Sequence, residues 1–346
     1  MSVREHLKSG VVIPAHPLAL TAERVLDATR QRALTRYYMD AGAGGVAVGV
    51  HTTQFAIREH GLYRPVLALV ADTVDEELAR NRRPFAKIAG LVRPPVQAIA
   101  EAEIALSLGY DAGLLSLGAA TRTPEDELIA HCREVASVIP LFGFYLQPAV
   151  GGRRLSYDFW RAFADIENVW AVKIAPFNRY WTHDVVRAIA DAGRDDIALY
   201  TGNDDSIVND LVTPFPVIVK GEPRYRWFDG GLLGQWAVWT ERAVALLERC
   251  KRERAVGAID TALLNEGAAL TDANGAIFDS ANSFAGCIPG IHEILRRQGL
   301  LERTTCLDPR ELLSKGQSED IDRVCAAYPE LADDAFVAAN LEAWLG

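Results

Sequence analysis

The sequence predicts an α/β protein, a (β/α)8 TIM barrel with a C-terminal helical extension. Short apolar segments alternate with helical segments eight times within about 250 residues, the usual size of this barrel. The apolar segments are nearly continuous, as expected of parallel strands that are buried on both faces. No GxGxxG loop follows the first strand, which disfavours a doubly wound sheet that binds a dinucleotide.

The eight strands are predicted where apolar runs end at turn-forming residues. They cover residues 10–14, 46–50, 85–92, 112–117, 140–145, 170–174, 197–200 and 227–233. The eighth strand has a competitor in residues 215–219. We favour the later segment, which has Gly230-Gly231 at its centre.

Helices are predicted between the strands and throughout the C-terminal part. They cover residues 21–41, 65–81, 96–108, 124–138, 156–166, 182–192, 205–211 and 241–251. Thr21 is a candidate N-cap for the first of them. An amphipathic helix that begins near Ile288-Pro289 and two more, over 318–328 and 333–345, follow. We therefore divide the chain into a barrel, 1–253, and a helical block packed on it, 254–346.

Composition limits the partners that the protein can have. The net charge of -10 over 346 residues disfavours nucleic acid or an anionic membrane, because both require a basic face. No apolar run reaches the roughly 18 residues of a membrane span, and the first ten residues lack the apolar core of a signal peptide. The five cysteines are widely spaced without a CxxC pair, which is typical of reduced thiols and predicts a cytoplasmic protein without a zinc site.

One lysine lies inside a predicted strand. The apolar run 169–176 contains Lys173 near its end, and only six lysines occur in the whole chain. Burial lowers the pKa of an ammonium group, so a buried lysine can serve as an amine nucleophile, which arginine cannot. The alternative is a side chain that reaches solvent past the strand end. Lys220 also ends an apolar run, but the Gly221-Glu222 that follows indicates a loop lysine beside an acid.

Chemistry in a TIM barrel gathers at the C-terminal ends of the strands. The residues at these ends are His16, His51, Thr52, Thr53, Tyr145, Gln147, Lys173, Asn203, Asp204 and Asp205. Because Tyr145 and Lys173 end adjacent strands, we expect their side chains to converge over the barrel axis, where a tyrosine hydroxyl can relay protons. The Thr52-Thr53 turn offers hydroxyl and backbone N–H groups to a carboxylate.

The ordered motifs from Gly10 to about Leu301 resemble the dihydrodipicolinate synthase / N-acetylneuraminate lyase family. They are Gly45-Val46-Ala47-Val48-Gly49, Thr52-Thr53, Tyr145-Leu146-Gln147-Pro148, Val172-Lys173-Ile174 and Thr201-Gly202-Asn203-Asp204. The resemblance implies a class I Schiff-base lyase, commonly a homotetramer, on a barrel with a helical appendage. It also implies Lys173 as the imine lysine, Tyr145 as the proton relay and Thr52 and Thr53 as the site for the carboxylate of pyruvate or another 2-keto acid. It implies no cofactor and no metal.

Three departures from the family pattern argue against dihydrodipicolinate synthase itself. The family's Gly-Thr-Thr-Gly-Glu reads His51-Thr52-Thr53-Gln54-Phe55. The family's arginine after the YNxP motif is Val150 by direct count, and Arg153 and Arg154 come slightly later. The tyrosine that dihydrodipicolinate synthases place after the fourth strand is absent from Leu117-Gly118-Ala119-Ala120. These differences indicate a divergent member with a different second substrate.

The sequence thus predicts a carbon–carbon or carbon–oxygen lyase, an aldolase or dehydratase that forms an imine on Lys173. His51, Gln147 and Asn203 are expected to shape the rest of the pocket, and a homo-oligomer, a dimer or tetramer, is expected. One alternative is a metal-dependent barrel hydrolase using His16, His51, His183 and Asp204, although no HxH pair ends the first strand. Another is a barrel that binds a keto acid without catalysis.

Overall fold

The structure, a computed structural model, describes residues 1–118 and 122–346. Its strands are β1 (Val12–Pro14), β2 (Gly45–Val48), β3 (Ala86–Val92), β4 (Ala112–Ser116), β5 (Leu141–Leu146), β6 (Val169–Ala175), β7 (Ala198–Thr201), β8 (Phe215–Val219), β9 (Glu222–Arg226) and β10 (Gly230–Leu233). Eight of them form one parallel sheet in the order β1-β10-β7-β6-β5-β4-β3-β2. A bridge between Ala15 and Ala47 joins the two ends of this sheet, so the predicted barrel is confirmed.

The competition for the eighth strand is also decided. Gly230–Leu233 pairs with both β1 and β7 and completes the barrel, as predicted. The rival segment, Phe215–Val219, pairs instead with Glu222–Arg226 in an antiparallel hairpin that forms a separate sheet. Lys220 lies in the turn of this hairpin, in agreement with its assignment to a loop.

Helices follow the strands as the sequence predicts, and a short helix that was not predicted precedes the first strand. They are α1 (Val3–Lys8), α2 (Ala28–Asp40), α3 (Tyr63–Arg80), α4 (Pro95–Ser107), α5 (Glu125–Ala136), α6 (Tyr157–Ala164), α7 (Arg179–Asp191), α8 (Ile207–Val212), α9 (Thr240–Val256), α10 (Thr261–Ile277), α11 (Cys287–Arg297), α12 (Gln317–Ala327) and α13 (Asp334–Leu345). The predicted start of the first barrel helix was wrong. Asp27 caps α2, whereas Thr21 belongs to a preceding turn in which its N–H donates to the carbonyl of Val25.

Apolar side chains form two cores, one on each face of the barrel wall. Inside the barrel, small residues such as Ala47 and Ala112 surround larger ones such as Phe142. Outside, the strands pack against the ring of helices. Successive residues of a strand therefore enter different cores, and the parity of a residue decides whether it can reach the barrel axis.

The C-terminal helices pack on the barrel through α2, α8 and α9. Asp333 links them to the barrel: its carboxylate accepts hydrogen bonds from the hydroxyl of Tyr37 (2.7 Å) and the N–H of Glu241 (3.1 Å). Because α9 continues to Val256, the proposed boundary between residues 253 and 254 falls inside a helix, and the division remains a proposal. Within the described ranges, no helix is both long and apolar enough to cross a membrane.

Candidate active site

Lys173 points into the barrel near the C-terminal end of β6. Its strand neighbours on the same face, Ala171 and Ala175, belong to the inner core, and its side chain is only 8% exposed. The Nζ atom lies 4.6 Å from the ring centroid of Phe144. Within the described residues it makes neither a hydrogen bond nor an ion pair. Burial lowers the pKa of this amine to about 8, against the opposing effect of the Asp204 carboxylate.

A pocket of about 550 Å³ opens above this amine at the mouth of the barrel. Its walls come from the loops after the strands and from the C-terminal block. The lining residues are Ala15, Val50, His51, Thr52, Phe144, Leu146, Gln147, Val150, Lys173, Ala175, Phe177, Gly202, Asp204, Gly234, Phe278, Phe284, Cys287 and Ile291. Five of the residues predicted at the strand ends therefore meet here: His51, Thr52, Gln147, Lys173 and Asp204.

The predicted carboxylate turn is present but its hydroxyls are engaged. Thr52 donates its hydroxyl to the carbonyl of Ala15 (2.8 Å) and Thr53 donates its own to the carbonyl of His16 (2.7 Å). Thr53 also accepts from the N–H of Gly49, and it does not line the pocket. The backbone N–H of Thr52 has no hydrogen-bond partner in the described part of the chain. Thr52 can therefore offer a backbone donor to an anion, while Thr53 holds the turn.

His51 stands in the pocket as a neutral imidazole. Burial, together with the charge of Lys173, lowers its pKa to about 4. Its ring lies 6.0 Å from that of Phe55, and its side chain donates no hydrogen bond within the described residues. At neutral pH this residue is thus a hydrogen-bonding group without charge, not a competing cation.

Asn203, by contrast, supports the loop after β7 and is not among the pocket residues. Its side chain accepts from the N–H of Phe177 (3.0 Å) and donates to Asp210 (2.9 Å) and Thr182 (3.2 Å). The predicted role of Asn203 in contacting substrate therefore needs correction. The flanking residues, Gly202 and Asp204, line the pocket instead.

Neither later arginine replaces the arginine that the family has at position 150. Arg153 donates to the carbonyl of Thr123 (2.7 Å), and the guanidinium of Arg154 lies 5.7 Å from the ring of Trp181. Neither lines the pocket above Lys173. The family's tyrosine is missing from the segment 117–120, in which Ala119 and Ala120 lie outside the described residues.

The expected convergence of Tyr145 with Lys173 is wrong. The residue that pairs in register with Lys173 is Phe144, and alternation along β5 sends Tyr145 to the opposite face. There it is fully buried in the outer core beside Trp160, and its hydroxyl bonds to the carbonyl and N–H of Leu155, both at 3.2 Å. Burial raises the pKa of the Tyr145 hydroxyl to about 12. Two residues at the ends of adjacent strands point to the same side of the barrel wall only if the register of the strands places them on the same face.

Asp204 is the acid that the sequence placed at the barrel mouth but assigned only to the rival metal site. Its side chain is 7% exposed and lines the pocket with Lys173. One carboxylate oxygen accepts from the N–H of Gln235 at 2.9 Å, in the loop after β10. Burial raises its pKa to about 7, although the Gln235 hydrogen bond and the charge of Lys173 oppose this shift. An apolar pocket thus holds one amine and one carboxyl group, both able to titrate near neutrality.

Two residues of the metal alternative, His51 and Asp204, share the pocket, but the other two lie elsewhere. Both ring nitrogens of His16 are occupied, by the carbonyl of Pro17 and the hydroxyl of Thr35 among others. His183 lies on α7, where its ring contacts Phe215. Among the described residues, no group of three or more His, Cys, Asp or Glu side chains has the arrangement of a metal site.

Solved structures of similar fold cover nearly the whole chain. YagE, a prophage protein of the dihydrodipicolinic acid synthase family from E. coli K12 in complex with pyruvate, matches with a TM-score of 0.73 at 18% identity, over 92% of this chain and 97% of that one. Dihydrodipicolinate synthase from Aquifex aeolicus matches with 0.74 at 16%, over 94% and 99%. CdNal from Clostridium difficile, in complex with mannosamine, matches with 0.72 at 16%, over 92% and 99%.

The chain has the dihydrodipicolinate synthase fold. No family profile matches the sequence, and no curated protein matches it. The similarity is therefore one of architecture, and the chemistry has to be argued from the residues of the pocket.

Proposed function

We propose that this protein is a class I lyase that forms an imine between Lys173 and pyruvate or another 2-keto acid. The observation that supports this most directly is the environment of the lysine. The amine is buried inside a barrel, has no hydrogen-bond partner in the described residues and has a pKa of about 8. An ammonium group that is buried without a partner destabilises a protein. Such a group at the mouth of a barrel therefore indicates a nucleophile.

The rest of the pocket suits a small keto acid. The neutral amine attacks the keto carbon, and the resulting imine withdraws electrons from the neighbouring carbon–carbon bonds. The free backbone N–H of Thr52 is placed in a turn that can hold the carboxylate. Gln147 and His51 add uncharged hydrogen-bonding groups. Pyruvate itself is present in the complex of YagE, which shares the fold.

The second substrate differs from that of dihydrodipicolinate synthase. Val150 lines the pocket where that family has an arginine, and Phe177, Phe278 and Phe284 form an apolar wall. An apolar wall favours an aldehyde or leaving group with hydrocarbon or aromatic character over a second carboxylate. Aldol cleavage, condensation and dehydration all remain open, because each proceeds through the same imine.

The two alternative functions have less support. A hydrolase would need a metal site, but of the histidines proposed for it His16 is hydrogen-bonded on both ring nitrogens and His183 packs against Phe215 on α7, so that only His51 lies in the pocket. A barrel that only binds keto acids would have no need to keep an unpaired amine buried, which costs stability. We also propose a cytoplasmic location, from the pattern of the cysteines, and a homo-oligomer, from the resemblance. Light scattering tests the oligomer: the measured mass should be a multiple of the 37.8 kDa of one chain, and a mass of 37.8 kDa would show a monomer.

Borohydride trapping tests the imine. The protein is incubated with pyruvate, or with longer and aromatic 2-keto acids, reduced with sodium borohydride and analysed by peptide mass spectrometry. We expect an adduct on Lys173 that is absent from Lys173→Ala. Lys87 provides the matched control, because it is also buried in a barrel strand but its Nζ lies 2.7 Å from Asp75.

The control separates specific from general reactivity. Lys87→Ala should leave the adduct unchanged, and no label should appear on Lys87. If no keto acid labels Lys173, or if Lys87 is labelled equally, the imine mechanism is wrong.

A further inference from the structure

Among the described residues that line the pocket there is no tyrosine, the group that was expected to relay protons for an imine. Phe144, not Tyr145, faces Lys173, and a phenyl ring can neither donate nor accept a proton. Imine formation requires an acid to remove the carbinolamine hydroxyl, and enamine formation requires a base at the neighbouring carbon. Some other side chain must therefore do both.

Asp204 has the position for this role. It follows β7, the strand next to Lys173 in the sheet, with only Gly202 and Asn203 between it and the strand end. Gln235 N–H holds one of its carboxylate oxygens at 2.9 Å, and Asn274 holds its backbone carbonyl. The other oxygen has no hydrogen-bond partner among the described residues. Asp204 and Lys173 form no ion pair there either, which leaves room for a substrate between them.

We propose that Asp204 is the catalytic acid–base of the reaction at Lys173. This inference rests on the proposed imine chemistry and goes beyond it by assigning the proton transfers. The carboxyl group protonates the carbinolamine hydroxyl, which leaves as water as the C–O bond breaks and the C=N⁺ bond forms. The resulting carboxylate then removes a proton from the adjacent carbon. The C–H electrons form the enamine, the nitrogen becomes neutral, and Asp204 returns to its acid form.

The other titratable groups that face the pocket suit this role less well. His51 is neutral with a pKa of about 4, so it holds almost no proton to donate at neutral pH. Burial raises the pKa of the Cys287 thiol, which makes it a poor acid. Asp205, the neighbouring carboxylate, is exposed and does not line the pocket. Burial holds Asp204 near pH 7, where both of its forms are populated.

Deuterium exchange separates proton transfer from imine formation. Pyruvate, or whichever keto acid labels the wild type, is incubated with the protein in D₂O, and loss of its C3 protons is followed by NMR. Asp204→Asn should slow exchange by about 10²-fold or more, while prolonged incubation with borohydride still labels Lys173. Asp205→Asn is the matched control: it also removes a carboxylate, which acts on Asp204 only by charge repulsion, so exchange should stay much closer to the wild-type rate than in Asp204→Asn.

A role limited to setting the pKa of Lys173 would give the opposite result. The carboxylate raises the pKa of Lys173, so removing its charge alone would increase the neutral amine and would not slow the reaction. Asp204→Ala adds a test that does not depend on how asparagine packs: formate should restore exchange if a carboxylate is required there. Wild-type exchange in Asp204→Asn, or no rescue of Asp204→Ala by formate, would overturn the assignment. Absence of an adduct in the wild type would instead overturn the proposed function.

Discussion

At the scale of single residues, the surroundings of Lys173 leave its amine buried and without a hydrogen bond or ion pair in the described part of the chain. Phe144 offers its ring face to the ammonium, which is a weaker partner than a carboxylate, and Asp204 stays out of ion-pairing distance. Gly202 gives the side chain its path, because a Cβ atom there would lie 2.7 Å from Lys173 Cε. The fold therefore holds the amine inside the barrel, where it loses most of its contact with water.

Replacing the lysine with an apolar residue should stabilise the protein at neutral pH. Its pKa is about 8 in the folded chain and 10.5 ordinarily, so the unfolded chain holds the proton over a range where the folded one has released it. The free energy of unfolding of the wild type should thus rise between pH 8 and 10.5. Below pH 8 the folded chain bears the full cost of burying the charged ammonium group. Lys173→Met should gain up to roughly 3 kcal/mol at pH 7, and this gain should vanish near pH 10.5.

Urea denaturation at both pH values measures this difference. Lys87→Met is the control, since the Lys87 ammonium has a carboxylate partner and its loss should bring no gain. A Lys173→Met variant no more stable than wild type at pH 7 would show that the amine is adequately solvated.

Gly202→Ala should block the chemistry by displacing the lysine. The new methyl group would lie 2.7 Å from Lys173 Cε, 3.0 Å from its Cγ and 2.7 Å from the Cβ of Ala175. A displacement of the amine by about 1 Å can cost roughly 10²-fold in rate, so the initial rate of borohydride trapping should fall by that order. Gly275→Ala on α10 is the control, because its methyl group meets no atom closer than 3.4 Å. Equal trapping rates would contradict this role for Gly202.

At the scale of elements, the turn His51–Thr53 follows β2 and is hydrogen-bonded to the segment that follows β1. Thr53 accepts from the N–H groups of Gly49 and Val50 and donates to the carbonyl of His16, whereas the Thr52 hydroxyl only donates, to Ala15 and more distantly to His16. The turn is therefore held mainly by Thr53, which leaves Thr52 at the pocket.

Thr53→Val should destabilise the protein more than Thr52→Val. It removes the acceptor of two buried N–H groups, each of which costs roughly 1–3 kcal/mol when unsatisfied. Thr52→Val removes only donated bonds, to carbonyls that can accept elsewhere. Thermal denaturation of both variants tests the order, and equal midpoints would show that the turn is held by its backbone alone.

Strand parity explains why Tyr145 was assigned wrongly. The motif that it begins, Tyr145-Leu146-Gln147-Pro148, locates the end of β5 correctly. Whether Phe144 or Tyr145 faces the axis depends on the pairing of β5 with β6, and this pairing shifts register between Leu141 and Phe142. A one-residue shift exchanges the two faces of a strand, and no local pattern in an all-apolar segment reveals it.

At the scale of the whole molecule, the C-terminal block completes the pocket. Phe278, Phe284, Cys287 and Ile291 line it from outside the barrel, and Phe284 contacts Phe177 edge to face. Asp333 holds this block against α2 and α9, and Gln298 within the block also donates to it. The same C-terminal block therefore lines the pocket and is held to the barrel through Asp333.

Asp333→Ala should lower global stability without removing a pocket residue. It leaves the N–H of Glu241 and the hydroxyl of Tyr37 without their acceptor, a loss of roughly 3 kcal/mol. Asp334→Ala is the control, because Asp334 is exposed and, within the described residues, its side chain accepts a hydrogen bond from Gln298 alone. Denaturation midpoints should separate the two variants, while borohydride trapping on Lys173 persists in both below the transition. Equal midpoints would mean that packing alone attaches the block.

The sequence by itself determined the architecture and predicted the candidate nucleophile. Eight apolar runs separated by helices specify a parallel barrel, since each such strand must be buried on both faces. The same burial singles out Lys173, because a charge within such a run has to be functional or paired. These are properties of local composition, which a sequence displays directly.

Only the tertiary structure decided which side chains share the pocket with Lys173. Phe144 rather than Tyr145 faces the lysine, Asp204 rather than Asn203 lines the cavity, and the apolar wall comes from Phe278 and Phe284, about a hundred residues away along the chain. Each choice depends on strand register or on the docking of a distant helix. Both are set by packing between segments, which no single segment of the sequence contains.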